Sequence, residues 1–257
     1  MKRMKKNVFR LLLLFLLLLS CNSENAGDCL QTAGPLQREV RLESSFSRIT
    51  VFENLNLVIR QGPEYRVEVE SGANLLNEIN AEVIGDRLVL RNENRCNLFR
   101  DYGISTVYVT APELREVRSG TGFLVSSEGT LNYDNLTLIS ERFNNPETEA
   151  TDGSFDIDFQ GDRLQLVVNG IAYVQFSGNA DVLNIVIAAG DARVEAAELI
   201  AQEVVVDHRG SNDAFVNPQR RISGVLRGYG DVIGVSRPPQ VEVDELFNGR
   251  LRFSSEN

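Results

Sequence analysis

Tryptophan is absent from the 257 residues, histidine occurs once, at position 208, and no lysine follows Lys6. These gaps remove chemistry. Nucleophilic triads and most zinc sites need a histidine set among partners. His208 has Asp207 and Arg209 beside it, and Val206 takes the inward phase, so it reads as a structural histidine at a loop edge or inside a coil. Without lysine in the body of the chain, one common catalytic base is missing. The longest apolar run covers only Leu11 to Leu19, short of the about 20 residues that a helical membrane span needs. No catalytic constellation, cofactor motif or metal-ligand set emerges, and the chain reads as a non-enzyme.

What is present is a period. Glycines stand at 170, 190, 210 and 230. Behind them Val174, Val194 and Ala214 form one apolar column, Phe176, Ala196 and Val216 a second, and Pro218 and Pro238 share a third phase. A fixed spacing that carries strand-like alternation and a glycine turn is the pattern of a β-solenoid, in which each turn buries its inner face against the next. The expected fold is all-β and β-helix-like, with turns of roughly 20 residues. Its register is imperfect. Ile185 and Ile187 point to 205 and 207, yet Val204 and Val206 carry the apolar role. A corner loop gaining or losing one residue accounts for this.

The first 20 residues include Lys2, Arg3, Lys5, Lys6 and Arg10 ahead of the apolar run, the order of a secretory signal peptide. Leu18-Leu19-Ser20-Cys21 looks like a bacterial lipobox, whose cysteine thiol accepts a diacylglycerol. Several acyl chains on Cys21 would anchor stably where one is marginal. Asn22 follows instead of Asp, the residue that favours inner-membrane retention in enterobacterial lipoproteins. The acidic tether with Glu24 and Asp28 resembles the surface-export tethers of Bacteroidota lipoproteins. The expected location is the outer membrane, by lipid anchor, at the cell surface or on the periplasmic face. Removing the five basic residues of the leader takes the formal charge from −10 to −15. Such a body is repelled by nucleic acid and by anionic membrane surfaces. Cys29 and Cys96 then remain as an even pair in an oxidising compartment. They are expected to form a disulfide that clips the tether to the body, the alternative being two buried free thiols.

Residues 38–116 alternate in short strands: Phe46, Ile49, Val51; Leu55, Leu57, Ile59; Tyr65, Val67, Val69; Val83 to Leu90, broken at Gly85-Asp86; and Val107 to Thr110. Leu75, Leu76 and Ile79 suit one helical turn or a short strand. Pro112 cannot donate to a ladder and is expected to mark a sheet edge. The ordered set Phe46…Ile49…Val51, Leu57-Val-Ile-Arg-Gln-Gly62, Val67-Glu-Val-Glu, Asn74-Leu-Leu, Leu88-Val-Leu, Val107-Tyr-Val-Thr-Ala-Pro, Leu114 and Ser119-Gly-Thr-Gly122 resembles the head GIN domain family. These are Bacteroidota envelope proteins labelled auto-transporter adhesins. The resemblance implies an all-β fold with β-helical character and no enzymatic activity, and it transfers no site residues. Where commoner members carry Gly-Ser-Gly-Asp turns, this chain has Gly190-Asp191, Ser211-Asn-Asp213 and Gly230-Asp231.

The organisation expected is a leader (1–20), a lipidated cysteine with its tether (21–37), an N-terminal β region capping one end (38–116), and the coil with a C-terminal cap (117–257). A polar loop, Arg142 to Asp152, interrupts the coil, and Arg142, Phe143 and Asn144 are its candidate partner contact. A tolerated insertion is the plainer explanation. Asp152, Asp156, Asp158 and Asp162 form an acidic cluster that reads as a solvated face. Arg193, Arg209, Arg220, Arg221 and Arg227 show no recurring acid partner in sequence. The expected function is adhesion to or binding of a glycan or an envelope or host protein, with self-association through coil ends. The alternatives are a β-helical carbohydrate-active enzyme and a structural envelope component.

Overall fold

The computed structural model describes residues 29–254, apart from positions 30, 95, 99, 145 and 149. The leader, Cys21 and the first part of the tether lie outside the described residues. Among the described residues the structure is all-β: seventeen strands in one sheet, a 3-10 turn at Leu76–Glu78, and no α-helix.

We number the strands in chain order. They pair as two rows. One row runs β5 (Ile79–Ile84), β6 (Arg87–Asn92), β2 (Arg48–Phe52), β8 (Glu116–Gly120) and β10 (Asn135–Ser140). It continues through the second halves of β11 (Ser154–Gly170), β12 (Tyr173–Gly190), β13 (Arg193–His208) and β14 (Ala214–Leu226), and ends at β16 (Gln240–Glu245). The other row runs β1 (Leu36–Leu42), β4 (Arg66–Gly72), β7 (Thr106–Ala111), β3 (Asn56–Gln61) and β9 (Leu124–Ser127). It continues through the first halves of β11 to β14, then β15 (Val232–Gly234) and β17 (Leu251–Phe253). The four long strands belong to both rows, so the sheet wraps round a single core. Pairing is parallel except for β5–β6, β1–β4 and β4–β7, which lie at the amino-terminal end.

Parallel pairing places residues about one repeat apart side by side. Phe155, Val174, Val194, Ala214 and Val232 lie in successive strands, and all are buried. So are Leu164, Leu183, Val204 and Ile222 in the other row. Alternation explains both columns, because every second side chain of a strand points to the same face. The glycine period is a corner. The N–H of Asp191 donates to the Gly170 carbonyl at 2.8 Å, that of Ser211 to Gly190 at 2.9 Å, and that of Tyr229 to Gly210 at 3.0 Å. At Gly190 the backbone has φ +94° and a Cβ would fall 2.1 Å from the Gly170 oxygen, so only glycine fits.

Two expectations need correction. The register slip is not a corner insertion. It is a bulge within the strands, between Gln175 and Ser177 of β12 opposite Glu195 and Glu198 of β13. The extra residue sets Ile187 opposite His208. Second, Pro112 does not mark a sheet edge: β7 ends at Ala111 and has β3 on one side and β4 on the other. The arginines form scattered pairs and no recurring acid column: Arg193 and Arg209 pair two positions away, with Glu195 and Asp207. Arg221 reaches Glu242 at 2.6 Å, Arg220 reaches Glu203 at 3.2 Å and Arg227 reaches Asp207 at 3.6 Å. The Gly85-Asp86 break is the tight turn of the β5–β6 hairpin, with Gly85 at φ +67°. Cys29 and Cys96 are joined as a disulfide.

Candidate cleft under the 141–148 strap

The outward face of the first row carries a concavity. Glu82 on β5, Val89 on β6, Thr50 on β2 and Arg118 on β8 are successive register partners, so they form one line across four strands. Alternation adds flanking lines: Ile84 pairs with Arg87, and Asn80 with Arg91. The segment after β10 then crosses this face. Glu141 accepts a hydrogen bond from Arg118 Nη1 at 2.8 Å and from the Asn144 backbone N–H at 3.0 Å. Six residues on, Glu147 meets Arg91 Nη2 at 2.6 Å. Thr148 is buried where its methyl group approaches Gly120 and Phe52. The result is a cleft of about 380 Å³ lined by Thr50, Glu82, Arg87, Arg91, Asn144 and Glu147, among others.

Its arginines are held in place. Arg87 donates to Thr50 Oγ1 at 2.8 Å and pairs with Glu116 at 2.7 Å. Arg91 lies over the Phe52 ring, 3.9 Å from its centroid. At Glu141, burial pushes the carboxyl pKa upward, but the hydrogen bonds from Arg118 and from backbone N–H groups outweigh it, so the group sits below the ordinary carboxylate value. The strap base is thus a charged, largely buried pair, with side chains 5% and 12% exposed for Glu141 and Arg118. The Glu147–Arg91 pair at the strap's far side is open to solvent.

Of the three loop residues singled out in sequence, Asn144 lines the cleft, while Arg142 is exposed and Phe143 is 84% exposed, neither among the lining residues. Sequence reasoning missed Arg87, Arg91 and Arg118. The available signal was Arg87-Leu-Val-Leu-Arg91, a strand whose ends carry arginine on its outward face. His208 is fully buried. Its Nδ1 accepts the Gly210 N–H at 3.0 Å, which leaves Nε2–H to donate to the Asn212 carbonyl at 2.9 Å, so the ring closes a corner. Asp156 and Asp158 share the outward face of β11, and Asp158 accepts from Thr130 Oγ1 at 2.9 Å. Among the described residues no three His, Cys, Asp or Glu side chains gather as a cation site.

The family described as "Putative auto-transporter adhesin, head GIN domain" matches residues 45–238, three quarters of the chain. The chain belongs to the head GIN domain family. Every strand that floors the cleft, and the strap above it, lies within that head GIN match. Solved structures share the fold. A "putative adhesin" from Bacteroides fragilis aligns with a TM-score of 0.76 at 19% identity, over 86% of this chain and 99% of that one. A "putative adhesin" from Parabacteroides merdae aligns with a TM-score of 0.61 at 14% identity, over 86% and 96%. A "putative lipid binding protein" from Parabacteroides distasonis aligns with a TM-score of 0.57 at 14% identity, over 86% and 97%. No curated protein matches the chain. Among the described residues of this head GIN chain, no helix is long and apolar enough to cross a membrane.

Proposed function

We propose that this head GIN protein is a non-catalytic adhesin or binding module, held by a lipid on Cys21 at the outer membrane and presenting a β-solenoid to a glycan or an envelope or host protein. The carrying observation is the strapped cleft on the outward sheet face, within a family described as adhesin-like. The solenoid reading rests on parallel partners such as Val174, Val194 and Ala214, each 20 residues from the last. On this reading the antiparallel strands among residues 38–116 cap one end. The exposed strap tip, Arg142 and Phe143, is a further contact. Copies would associate through the other end, where β16 and β17 each have a partner strand on one side only.

Two experiments test this. Cys21→Ala removes the acyl acceptor, and the variant is expected in the soluble fraction. A variant that still sediments with outer membranes overturns the anchor. A glycan array and a product assay on the same sugars separate binding from turnover. Binding without product supports the module. One observation favours the enzyme reading as a second choice: Glu82 and Glu147 line the same cleft as Arg87 and Arg91. Product formation would establish that reading and refute ours.

A further inference from the structure

Resting on the binding reading above, we propose that the strapped cleft takes a short neutral oligosaccharide, held by hydrogen bonds and not by charge. The lining chemistry selects the ligand. Each guanidinium there already has a carboxylate: Arg87 has Glu116, Arg91 has Glu147 and Arg118 has Glu141. An anionic ligand would have to displace a glutamate from its arginine, and a cationic one at Glu147 would have to displace Arg91. A sugar hydroxyl needs neither. It donates one hydrogen bond and accepts others, so it requires donors and acceptors within reach of one another. The cleft alternates them: Arg87 and Arg91 donate, Glu82 and Glu147 accept, and Thr50, Asn80 and Asn144 do both. Val89 and Ile84 add an apolar strip of the kind a ring's C–H face covers. The volume of about 380 Å³ falls in the range of small-ligand clefts, about 300–1,000 Å³. Phe52 is 3% exposed beneath Arg91, so ring stacking is not the mechanism. The acidic body, formally −10, does not oppose a neutral ligand.

The strap explains entry. Its base is the buried Glu141–Arg118 pair. Its far side rests on Glu147–Arg91, whose side chains are 68% and 36% exposed. Exposed pairs hold weakly, so the Glu147 side chain can swing aside while the strap stays fixed at Glu141 and at the buried Thr148.

The test uses the full-length protein in detergent on an array of neutral, uronic-acid and sulfated oligosaccharides. Neutral sugars should bind, with affinity unchanged between about 0.05 and about 0.5 M salt, because no net charge is matched. Glu82→Ala, an exposed change on edge strand β5, should weaken binding roughly ten- to a hundredfold, the loss of a charged hydrogen-bond partner. Val89→Trp should fill the cleft and abolish binding, with thermal melting as the check on folding, and Ile171→Ala, an exposed change outside the cleft, should bind as the wild type does. Binding confined to acidic sugars and lost in salt overturns the proposal. So does neutral-sugar binding that survives both cleft variants, which would leave the adhesin reading intact but move its site. A blank array also overturns it, and the adhesin reading is then decided by whether beads coated with the protein attach to mucin and bacterial surfaces.

Discussion

In the buried column between Ile187 and Leu226, His208 closes a corner by accepting from Gly210 and donating to Asn212. Burial lowers its pKa below the ordinary 6.5 more than the Asn212 carbonyl and the nearby Asp213, Asp207 and Asp231 raise it. The unfolded chain therefore binds the proton more readily than the folded one. Stability should be full above pH 6.5 and should decline as the pH falls from 6.5 toward the folded value. Protonation would also turn Nδ1 into a donor facing the Gly210 N–H. Thermal melting compared at about pH 7.5 and about pH 5.5 should show a downward step. His208→Leu should lose that step, while melting lower throughout because Gly210 and Asn212 lose their partners. At the glycine corner, two substitutions separate clash from strain. Gly190→Ala meets the Gly170 oxygen and also demands positive φ, so its loss in urea denaturation should exceed the about 1–2 kcal/mol of left-handed strain alone. Gly129→Ala, at φ +81° with nothing within 4 Å, should show only that strain.

At the level of elements, the strap and the disulfide each tie an irregular segment to the sheet. Glu141→Gln leaves the Arg118 guanidinium largely buried without a carboxylate, a loss toward the low end of about 3–5 kcal/mol. Trypsin should then cut after Arg142 faster than in the wild type, since the strap base no longer grips. Equal cleavage rates would mean that the strap is held by Thr148 and not by the pair. The sign with pH follows from the lowered Glu141 pKa: the pair contributes above the ordinary 4.5 and is lost as pH falls through the folded value. The Cys29–Cys96 bridge spans 67 positions. By the chain-entropy account, reduction should cost at most about 4 kcal/mol, read as a shift of the denaturation midpoint with and without dithiothreitol. The glycine corner, the break at Gly85-Asp86 and the cysteine pair were legible in the sequence, because each depends on residues whose chemistry admits few alternatives, whereas the antiparallel hairpin around that break was not. The strap was legible as an interruption of the period, but its landing place was not. Glu147 and Arg91 lie 56 positions apart, and nothing local links them.

Across the whole molecule, one core runs from Phe46 on the amino-terminal side to Phe253 near the end, shared by both rows. Its far end is a sheet edge. β16 carries Glu242, Asp244 and Glu245, and β17 is only three residues long, so the association proposed for this end would use side-chain contacts and not added strands. Residues 38–116, read from the sequence as the region that caps one end, share both rows with the rest of the chain, since β2 and β3 pair in parallel with β8 and β9. That continuity was hidden because antiparallel and parallel strands show the same two-residue alternation. Composition, the 20-residue glycine period and the inward columns follow from the sequence by itself, since side-chain chemistry and a periodicity of two suffice to read them. Only the tertiary structure decided which outward residues meet. The cleft is built from β5, β6, β2, β8 and the strap, elements brought together by register, and register depends on pairings that no local pattern specifies.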